Sequence, residues 1–544
     1  MNLASDLIRK GYLISPSLLR EKKLDENFLN KIDALKEKPL VLDKNVYKIM
    51  QKNDNFNLEI NWKEFDKSKI NYEKNKNIED YKVFLEIINY DNKKNKLKVE
   101  TIIKQISEPE KLEFEKDIIT QNVTIVKIYK ENIKKRDVQD FVQHFRARYN
   151  ALKNILINRN ELSNCISINR VLNKNKGDGV AIIGLIIDKK TTKNGNIMLE
   201  VEDLTGKISC IIGKNKKEVY DFAKDLISDE VIGVIGTCSD KFVFTNNILL
   251  PDVPANNQLK KIDEDCYVSF TSDIHVGSKV FLEKEFLNFI DWLNGDYGSE
   301  EQKNIAIKVK YLFLMGDLIE GIGIYPGQEK DLLIKDVKKQ YDRLAELLGK
   351  IRKDILIILI GGNHDSLRLA EPQPKLNTNY AKAIYELENI IPLTNPSVVN
   401  IHSSKNFEGF NILMYHGASF HAIYENVDSI RLNGGLDRVD LIMKYLLQVR
   451  HLAPFHNSVQ YIPESDEDFL VIDKVPDFFV SGDIHKTSAL NYRGVTMLNC
   501  SCWAEQTEYM EKRGIIPDPG KAFVINLKNR DIKILNFIEN ENLS

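Results

Sequence analysis

The sequence predicts a multidomain α/β protein whose chemistry sits in its C-terminal half. At 544 residues the chain is too long for one hydrophobic core, since domains average roughly 150 residues. From about residue 264 onward, strand-length apolar runs alternate with helical stretches, and several of those runs end in short clusters of Asp, Asn and His. Before that region lies a block patterned as short strands joined by tight turns.

Composition narrows the class. A hydrophobic content of 43% with 29% charged residues is that of a soluble globular protein. No apolar run reaches membrane-spanning length, and the N-terminus lacks a signal-peptide pattern, so a cytoplasmic location with no membrane partner is expected. The 6 cysteines are scattered without a C-x-x-C pair, which reads as reduced thiols and excludes a disulfide framework or zinc knuckle. A net charge of -2 excludes nucleic-acid binding through bulk positive charge; any such contact must be local or shared with a partner. Of the 9 histidines only His144 precedes His275, which confines imidazole chemistry to the later region.

Residues 1–50 read as a small helical unit, with Leu18, Leu19, Leu24, Phe28, Leu29, Ile32 and Leu35 at helical spacing; it serves either as an appendage or as a partner-docking module. Residues 51–118 are rich in Lys, Asn, Asp and Glu and read as a flexible tether with short strands near 82–89 and 97–103. A strand is expected within 119–128, then an amphipathic helix from Asp137 to about Leu162. The β-rich block supplies strands at Val180–Ile187, Ile197–Val201 and Lys207–Ile212, a helix near 215–226, and strands at Val231–Gly236 and Lys241–Leu249. Three strands, a helix and two strands is the order of an OB-fold barrel, which makes 119–255 a helix-plus-OB-fold domain. The face carrying Met198 and Glu200 offers few aromatics for stacking on single strands, so packing against protein is an equal reading of the barrel. Pro251 and Pro254 mark the boundary before a domain at 262–544.

Within 262–544, Cys266–Phe270 leads into Ser272-Asp273-Ile274-His275, Tyr311–Met315 into Gly316-Asp317, and Ile355–Ile360 into Gly361-Gly362-Asn363-His364-Asp365. Phe410–Tyr415 leads into His416-Gly417, and Asp477–Val480 into Ser481-Gly482-Asp483-Ile484-His485. Helices are expected at 283–294, 331–350 and 378–387. Each motif alone is a common turn, but repetition at strand after strand places them along one edge, where open α/β sheets bind ligands. Side-chain alternation is expected to aim Asp273 and His275 the same way. Oxygen and nitrogen donors without thiolate suit two divalent ions, Mn²⁺ foremost, with Mg²⁺, Zn²⁺ or Fe as alternatives. Two such ions favour hydrolysis of a phosphate ester.

The set Asp-x-His, Gly-Asp, Gly-Asn-His-Asp, His-Gly and a final Gly-x-x-His resembles the calcineurin-like metallophosphoesterase superfamily. With the preceding OB-like block, Arg450-His451-Leu452-Ala453-Pro454 and Trp503-Ala504-Glu505-Gln506-Thr507, the chain from about 137 to 535 is similar to the small subunits of archaeal family D DNA polymerases. That resemblance implies an α/β (α+β) phosphoesterase β-sandwich flanked by helices. It implies a 3′–5′ exonuclease that proofreads DNA, acting on single-stranded or primer-template DNA in a heterodimer with a large polymerising subunit. Residue by residue, it implies that Asp273, His275 and His485 hold one metal, that Asp317 bridges, and that Asn363 and His416 hold the second. His364 is implied as the phosphate-contacting proton donor, with Asp365 orienting it.

One position departs from the superfamily's usual Gly-His-x-His. Asp483 stands where an imidazole is expected, either as a carboxylate ligand favouring a harder ion or as a turn residue beside a weakened site. A weakened site would leave a scaffold subunit, and the long region before 262 argues against a stand-alone small-molecule phosphatase.

Overall fold

A computed structural model describes residues 122–538 apart from 513, together with isolated positions between 10 and 47. The tether expected at 51–118, with its short strands, and most of the helical unit expected at 1–50 lie outside the described residues. Within the first fifty positions, Leu13–Ile14 pairs in parallel with Val41–Leu42, and Asn30, Ile32, Val46 and Tyr47 are helical. Residues 1–119 and 120–544 form separate compact units, and the elements numbered below belong to the second.

Strand β1 (Val123–Ile128) pairs antiparallel with Ser397–Ile401, far along the chain. It is therefore an edge of a C-terminal sheet, which corrects its grouping with the barrel. Helix α1 (Val138–Leu156) begins at a reciprocal capping box between Asp137 and Asp140 and buries Tyr149, Leu152 and Leu156. It ends six residues before the expected Leu162, because Asn158 turns its side-chain amide onto the Asn154 carbonyl at 2.8 Å, competing with the helical N–H.

The barrel comprises β2 (Gly179–Thr191), β3 (Ile197–Asp203), β4 (Gly206–Ile212), helix α2 (Lys217–Asp225), β5 (Val231–Cys238) and β6 (Phe242–Leu249). It closes in the order β2-β3-β4-β6-β5, with β4 and β6 parallel. Its first strand runs past the expected Ile187, since a bulge between Ile186 and Asp188 bends it while pairing with β3 continues to Thr191. Leu199, Val201, Cys210, Val234 and Val243 fill the interior.

Two six-stranded sheets make the remainder. The first runs β10 (Ile390–Pro392), β9 (Leu356–Ile360), β8 (Val309–Met315), β7 (Tyr267–Thr271), β16 (Lys521–Asn526), β17 (Ile532–Asn536). The second runs β14 (Ser488–Tyr492), β15 (Val495–Asn499), β13 (Phe478–Ser481), β12 (Phe410–Met414), β11 (Ser397–Ile401), β1. The sheets meet where Phe270 packs on Phe478, ring centroids 5.8 Å apart. Strands β7, β8 and β9 are parallel, as are β12, β13 and β15, so the Asp-, Asn- and His-bearing ends gather at one edge.

Helices α3 (Glu283–Asn294), α4 (Val337–Leu348) and α5 (Thr378–Tyr385) flank the first sheet, whose core includes Phe286, Phe289, Trp292 and Trp503. The helix expected from 331 starts only at Val337, capped by Asp336, because the preceding residues serve the site: Leu333 and Ile334 donate to the Gly277 carbonyl. Helices α6 (Phe420–Asn426) and α7 (Val439–Val449) join the core beside the barrel. The result is a mixed α/β protein, as the sequence predicts. Among the described residues no helix is long and apolar enough to cross a membrane, and all six cysteines are free.

Candidate metal centre

The ligand-bearing turns are built from backbone that most residues avoid. Asp273, His275, Asp317, Asp483 and His485 all have positive φ, at 51°, 56°, 47°, 66° and 58°. Each such turn costs about 1–2 kcal/mol in an L-residue, and Asp and His tolerate it better than most. The expectation that strand alternation aligns Asp273 with His275 is therefore corrected. Strand β7 stops at Thr271, and two left-handed turns beyond it bring both side chains inward. Glycines permit the crowding: a Cβ on Gly362 would collide with Asp317 and His416, and one on Gly482 with Ser272 and Asp273.

The predicted metal residues converge. His485 Nε2 lies 3.2 Å from both Asp273 Oδ1 and His275 Nε2. His416 Nδ1 donates to the Met315 carbonyl at 2.7 Å, which leaves Nε2 facing Asn363 Oδ1 at 2.9 Å, Asp317 Oδ1 at 3.4 Å and Asp483 Oδ1 at 3.6 Å. Asp273, His275 and His485 offer one ligand cluster, and Asp273, Asp317 and His416 another, each with donor atoms within 4.8 Å of one another. Two adjacent sites sharing carboxylates are what two divalent cations require.

Burial sets the electrostatics. It would push Asp273 and Asp317 up, but His485 holds the Asp273 carboxyl below its ordinary range, and His416 and His364 do the same for Asp317. Burial would likewise deprotonate His416, yet Asp317, Asp273 and Asp483 raise its pKa well above that of free imidazole. Burial raises the Asp483 carboxyl despite His416 and His421. Asp273 and Asp317 on one side and His416 and His485 on the other thus favour one another's charged forms, and a divalent cation bound there would compete with those protons.

His364 lies at the mouth. Its Nδ1 is 2.9 Å from the Glu320 carbonyl, and its N–H donates to Asp317 Oδ1 at 2.8 Å. Asp365 does something different from its neighbour. Its carboxylate accepts from the N–H groups of Gly362 (2.8 Å) and Leu318 (3.2 Å) and from the Tyr341 hydroxyl (3.0 Å), tying the Asp317 loop to the Asn363 loop. Burial pushes its carboxyl up to about 7. It is a positioning residue for the loops.

Glu320 belongs to none of the sequence motifs. Its Oε2 lies 3.0 Å from His275 Nδ1, and it forms a third ligand cluster with His275 and His364. Gln328 braces it, donating from Nε2 to Oε1 at 3.1 Å. The available signal was a lone carboxylate in the apolar, glycine-rich run Leu318-Ile319-Glu320-Gly321-Ile322-Gly323-Ile324. Of the other histidines, His421 lines the same cavity, whereas His402 packs near Tyr311 and Glu264.

The centre opens into a cavity of about 640 Å³, lined at its base by His275, Asp317, Asn363, His364, Asp483 and His485.

Comparison with known proteins places the chain in a family. The DNA polymerase alpha/epsilon B-subunit family matches residues 268–489. The DNA polymerase II small subunit of Methanothermobacter thermautotrophicus is 41% identical over 390 residues, 72% of this chain and 78% of that one. The DNA polymerase II small subunit of Pyrococcus abyssi is 38% identical over 403 residues, 74% of this chain and 63% of its own greater length. A solved archaeal phosphodiesterase aligns with 49% of this chain and 98% of its own at 11% identity, with a TM-score of 0.25. The extent and identity of the first two matches place this chain in the family of archaeal DNA polymerase II (family D) small subunits.

Proposed function

We propose that the chain is the proofreading nuclease subunit of a heterodimeric family D DNA polymerase, hydrolysing DNA 3′–5′ on single-stranded or primer-template ends with two divalent ions. In this reading the two-sheet unit is a calcineurin-like phosphoesterase, the barrel is an OB fold, and the large polymerising subunit is the partner. The observation that carries it is the convergence of Asp273, Asp317 and Asp483 with His275, His416, His485 and Asn363 in one buried pocket. Among the described residues the ion-pair contacts of these acids are with imidazoles, which supports a cation supplied from solution.

The donor set fits. Asp273, His275 and His485 would hold one ion, and Asn363, His416 and Asp483 the other, with Asp317 between; oxygen and imidazole donors suit Mn²⁺ foremost, and also Mg²⁺, Zn²⁺ or Fe. Bound there, divalent ions supply Lewis acidity toward a phosphodiester and make water acidic enough to attack at neutral pH. The chain's own residues do the rest. The Glu320 carbonyl accepts the Nδ1 proton of His364, so the ring presents Nε2 for donation to the leaving oxygen. Asp317 and Glu320 raise the His364 pKa against its burial, favouring the protonated form such donation needs. Asp365 keeps the two loops in register.

With Mn²⁺, the purified protein should shorten a 5′-labelled single strand from its 3′ end in steps. Release of the label first from a 5′ end, or no metal-dependent cleavage, contradicts the reading. The second reading, a scaffold subunit with a weakened second ion site, is favoured by Asp483 alone, which stands where the superfamily places an imidazole.

A further inference from the structure

Two of the residues assigned to the second ion come from different sheets. Asn363 follows β9 of the first sheet, and His416 follows β12 of the second. Their side chains meet with Asn363 Oδ1 2.9 Å from His416 Nε2, the two atoms that a cation would use. A contact between two ligand atoms cannot also fix their spacing around an ion that binds both. The first site has a backbone tie across the same gap between sheets, since the Asp483 N–H donates to the Asp273 carboxylate. Asn363 and His416 need a tie of another kind.

A buried pair of amides supplies it. Asn395 lies where the chain crosses from β10 in the first sheet to β11 in the second. It exchanges backbone hydrogen bonds with Gln373: the Gln373 N–H donates to the Asn395 carbonyl at 2.7 Å, and the Asn395 N–H donates back at 3.2 Å. The side chains continue the link, with Asn395 Nδ2 donating to Gln373 Oε1 at 2.7 Å. From there one arm reaches each ligand loop. Gln373 Nε2 donates to the carbonyl of Gly362, the residue before Asn363, at 3.3 Å, and to the Arg368 carbonyl at 3.0 Å. Asn395 Oδ1 accepts the backbone N–H of His416 at 3.0 Å. Both amides are buried, and with Asn363 and His416 they line a second cavity of about 200 Å³.

An amide suits both positions because it donates and accepts at once without adding charge. A carboxylate buried there would need a counter-charge of its own. Bracing of the crossing does not account for the pair, because Ser397 Oγ already donates to the Thr394 carbonyl there, at 2.6 Å. The amide arms go further, to the two loops that carry Asn363 and His416.

Resting on the two-ion reading above, we infer that Gln373 and Asn395 are positioning residues for the second ion, holding Asn363 and His416 at the spacing a divalent cation takes. Groups that orient metal ligands in this way set affinity by about ten- to a hundredfold. The side-chain hydrogen bonds of the pair end beside the second site's ligands, so its loss should spare the ion held by Asp273, His275 and His485.

The test is a calorimetric titration of the full chain with Mn²⁺, joined to electron paramagnetic resonance, which separates a coupled ion pair from an isolated ion. His416→Ala identifies the binding event that belongs to the second site. In Asn395→Ala and Gln373→Met that event should weaken about ten- to a hundredfold and the other less than about twofold. At metal levels that fill both sites of the wild type, the coupled spectrum should give way to that of an isolated ion. Ser397→Ala, which breaks a bond in the same crossing but none to a ligand loop, should lower the melting temperature and leave both affinities unchanged. Gln373→Met keeps the side-chain volume, which guards against a result caused by unfolding of Asn395→Ala. Equal weakening of both ions, weakening of neither, or loss of the second ion in Ser397→Ala as well overturns the positioning role. A wild-type chain that takes up one Mn²⁺ or none overturns the two-ion reading instead, and the positioning role falls with it.

Discussion

Two buried clusters in this protein are made of the same residue types and do opposite things. At the metal centre, Asp273, Asp317 and Asp483 face His275, His416 and His485. Beneath helix α1, Asp468 faces Arg148 at 2.6 Å, His451 at 2.8 Å and His144 at 3.3 Å. The second cluster supplies its own cation: Arg148 also donates from Nη1 to the Pro454 carbonyl, and Asp468 Oδ1 accepts from the Leu470 N–H. It is a lock between α1 and the 450–470 segment. The first has several acids, five left-handed turns and a cavity above it, and among the described residues its acids pair with imidazoles and with no guanidinium. A buried carboxylate must be neutralised. Where the chain provides a guanidinium the cluster is structural, and where it provides imidazoles and space the proposed function calls for a cation from solution.

The largest expected effect separates the two directly. Asp317→Ala should lower metal-dependent hydrolysis on the order of a thousandfold, since several kcal/mol of transition-state stabilisation rest on the ions it holds. Mn²⁺ should raise the melting temperature of the wild type and not of this variant, because a ligand that binds only the folded state stabilises it. A melting temperature equally responsive in both would move the metal away from Asp317.

Arg148→Met tests the other side. Removing the guanidinium leaves Asp468 with only the two imidazoles as partners and should cost about 3–5 kcal/mol in urea denaturation. Adding Asp468→Asn should recover part of that loss, whereas hydrolysis per folded molecule should change little. A loss under about 1 kcal/mol would show that the lock is not held by charge.

The same contrast explains what the sequence disclosed. The strand-end motifs were readable because left-handed turns and close backbone approach demand Gly, Asp and His at fixed offsets, as in Gly482-Asp483-Ile484-His485. The lock left no such trace. Arg148, His451 and Asp468 are brought together by tertiary packing alone; the sequence marks the amphipathic helix carrying Arg148 and the run Arg450-His451-Leu452-Ala453-Pro454, but not their meeting at Asp468. Glu320 and the framework role of Asp365 were hidden for a related reason: both depend on which loop N–H or ring nitrogen lies opposite, and no periodicity encodes that. Strand β1 was foreseen as a strand, but its pairing with β11 is a long-range choice. Helix α1 was overrun at its C-terminus because a single asparagine side chain, Asn158, decided the stop.

A smaller effect sharpens the lock through pH. His451 donates from Nε2 to Asp468 and accepts the Ala453 N–H at Nδ1, 2.9 Å away, so a second ring proton would have no acceptor. Burial, then the Arg148 charge, push its pKa down to about 4 against the 6.5 of free imidazole. The unfolded chain therefore binds a proton that the folded one refuses. The stabilisation is present above about pH 6.5 and is lost as pH falls toward 4, amounting to roughly 3 kcal/mol. Urea midpoints measured between those limits should fall in the wild type and flatten in His451→Gln. An unchanged slope would assign the acid sensitivity to another group.

The finest distinction concerns Asp483, where a ligand and a turn residue make different predictions for two conservative changes. Its backbone N–H donates to both oxygens of Asp273, at 3.3 and 3.1 Å, and any residue retains that contact if φ stays near 66°. Its side chain faces His416 at 3.6 Å. Asparagine tolerates the left-handed turn and keeps a neutral oxygen, whereas alanine resists the turn by about 1–2 kcal/mol. If the carboxylate ligates, Asp483→Asn should weaken the second Mn²⁺ in a calorimetric titration by about tenfold without lowering stability, since one charge is lost from a hard-ion site. If residue 483 only makes the turn, Asp483→Asn should leave both ions in place and Asp483→Ala should lose stability instead. The two substitutions thus assign Asp483 either to the recruited cation or to the frame that presents Asp273.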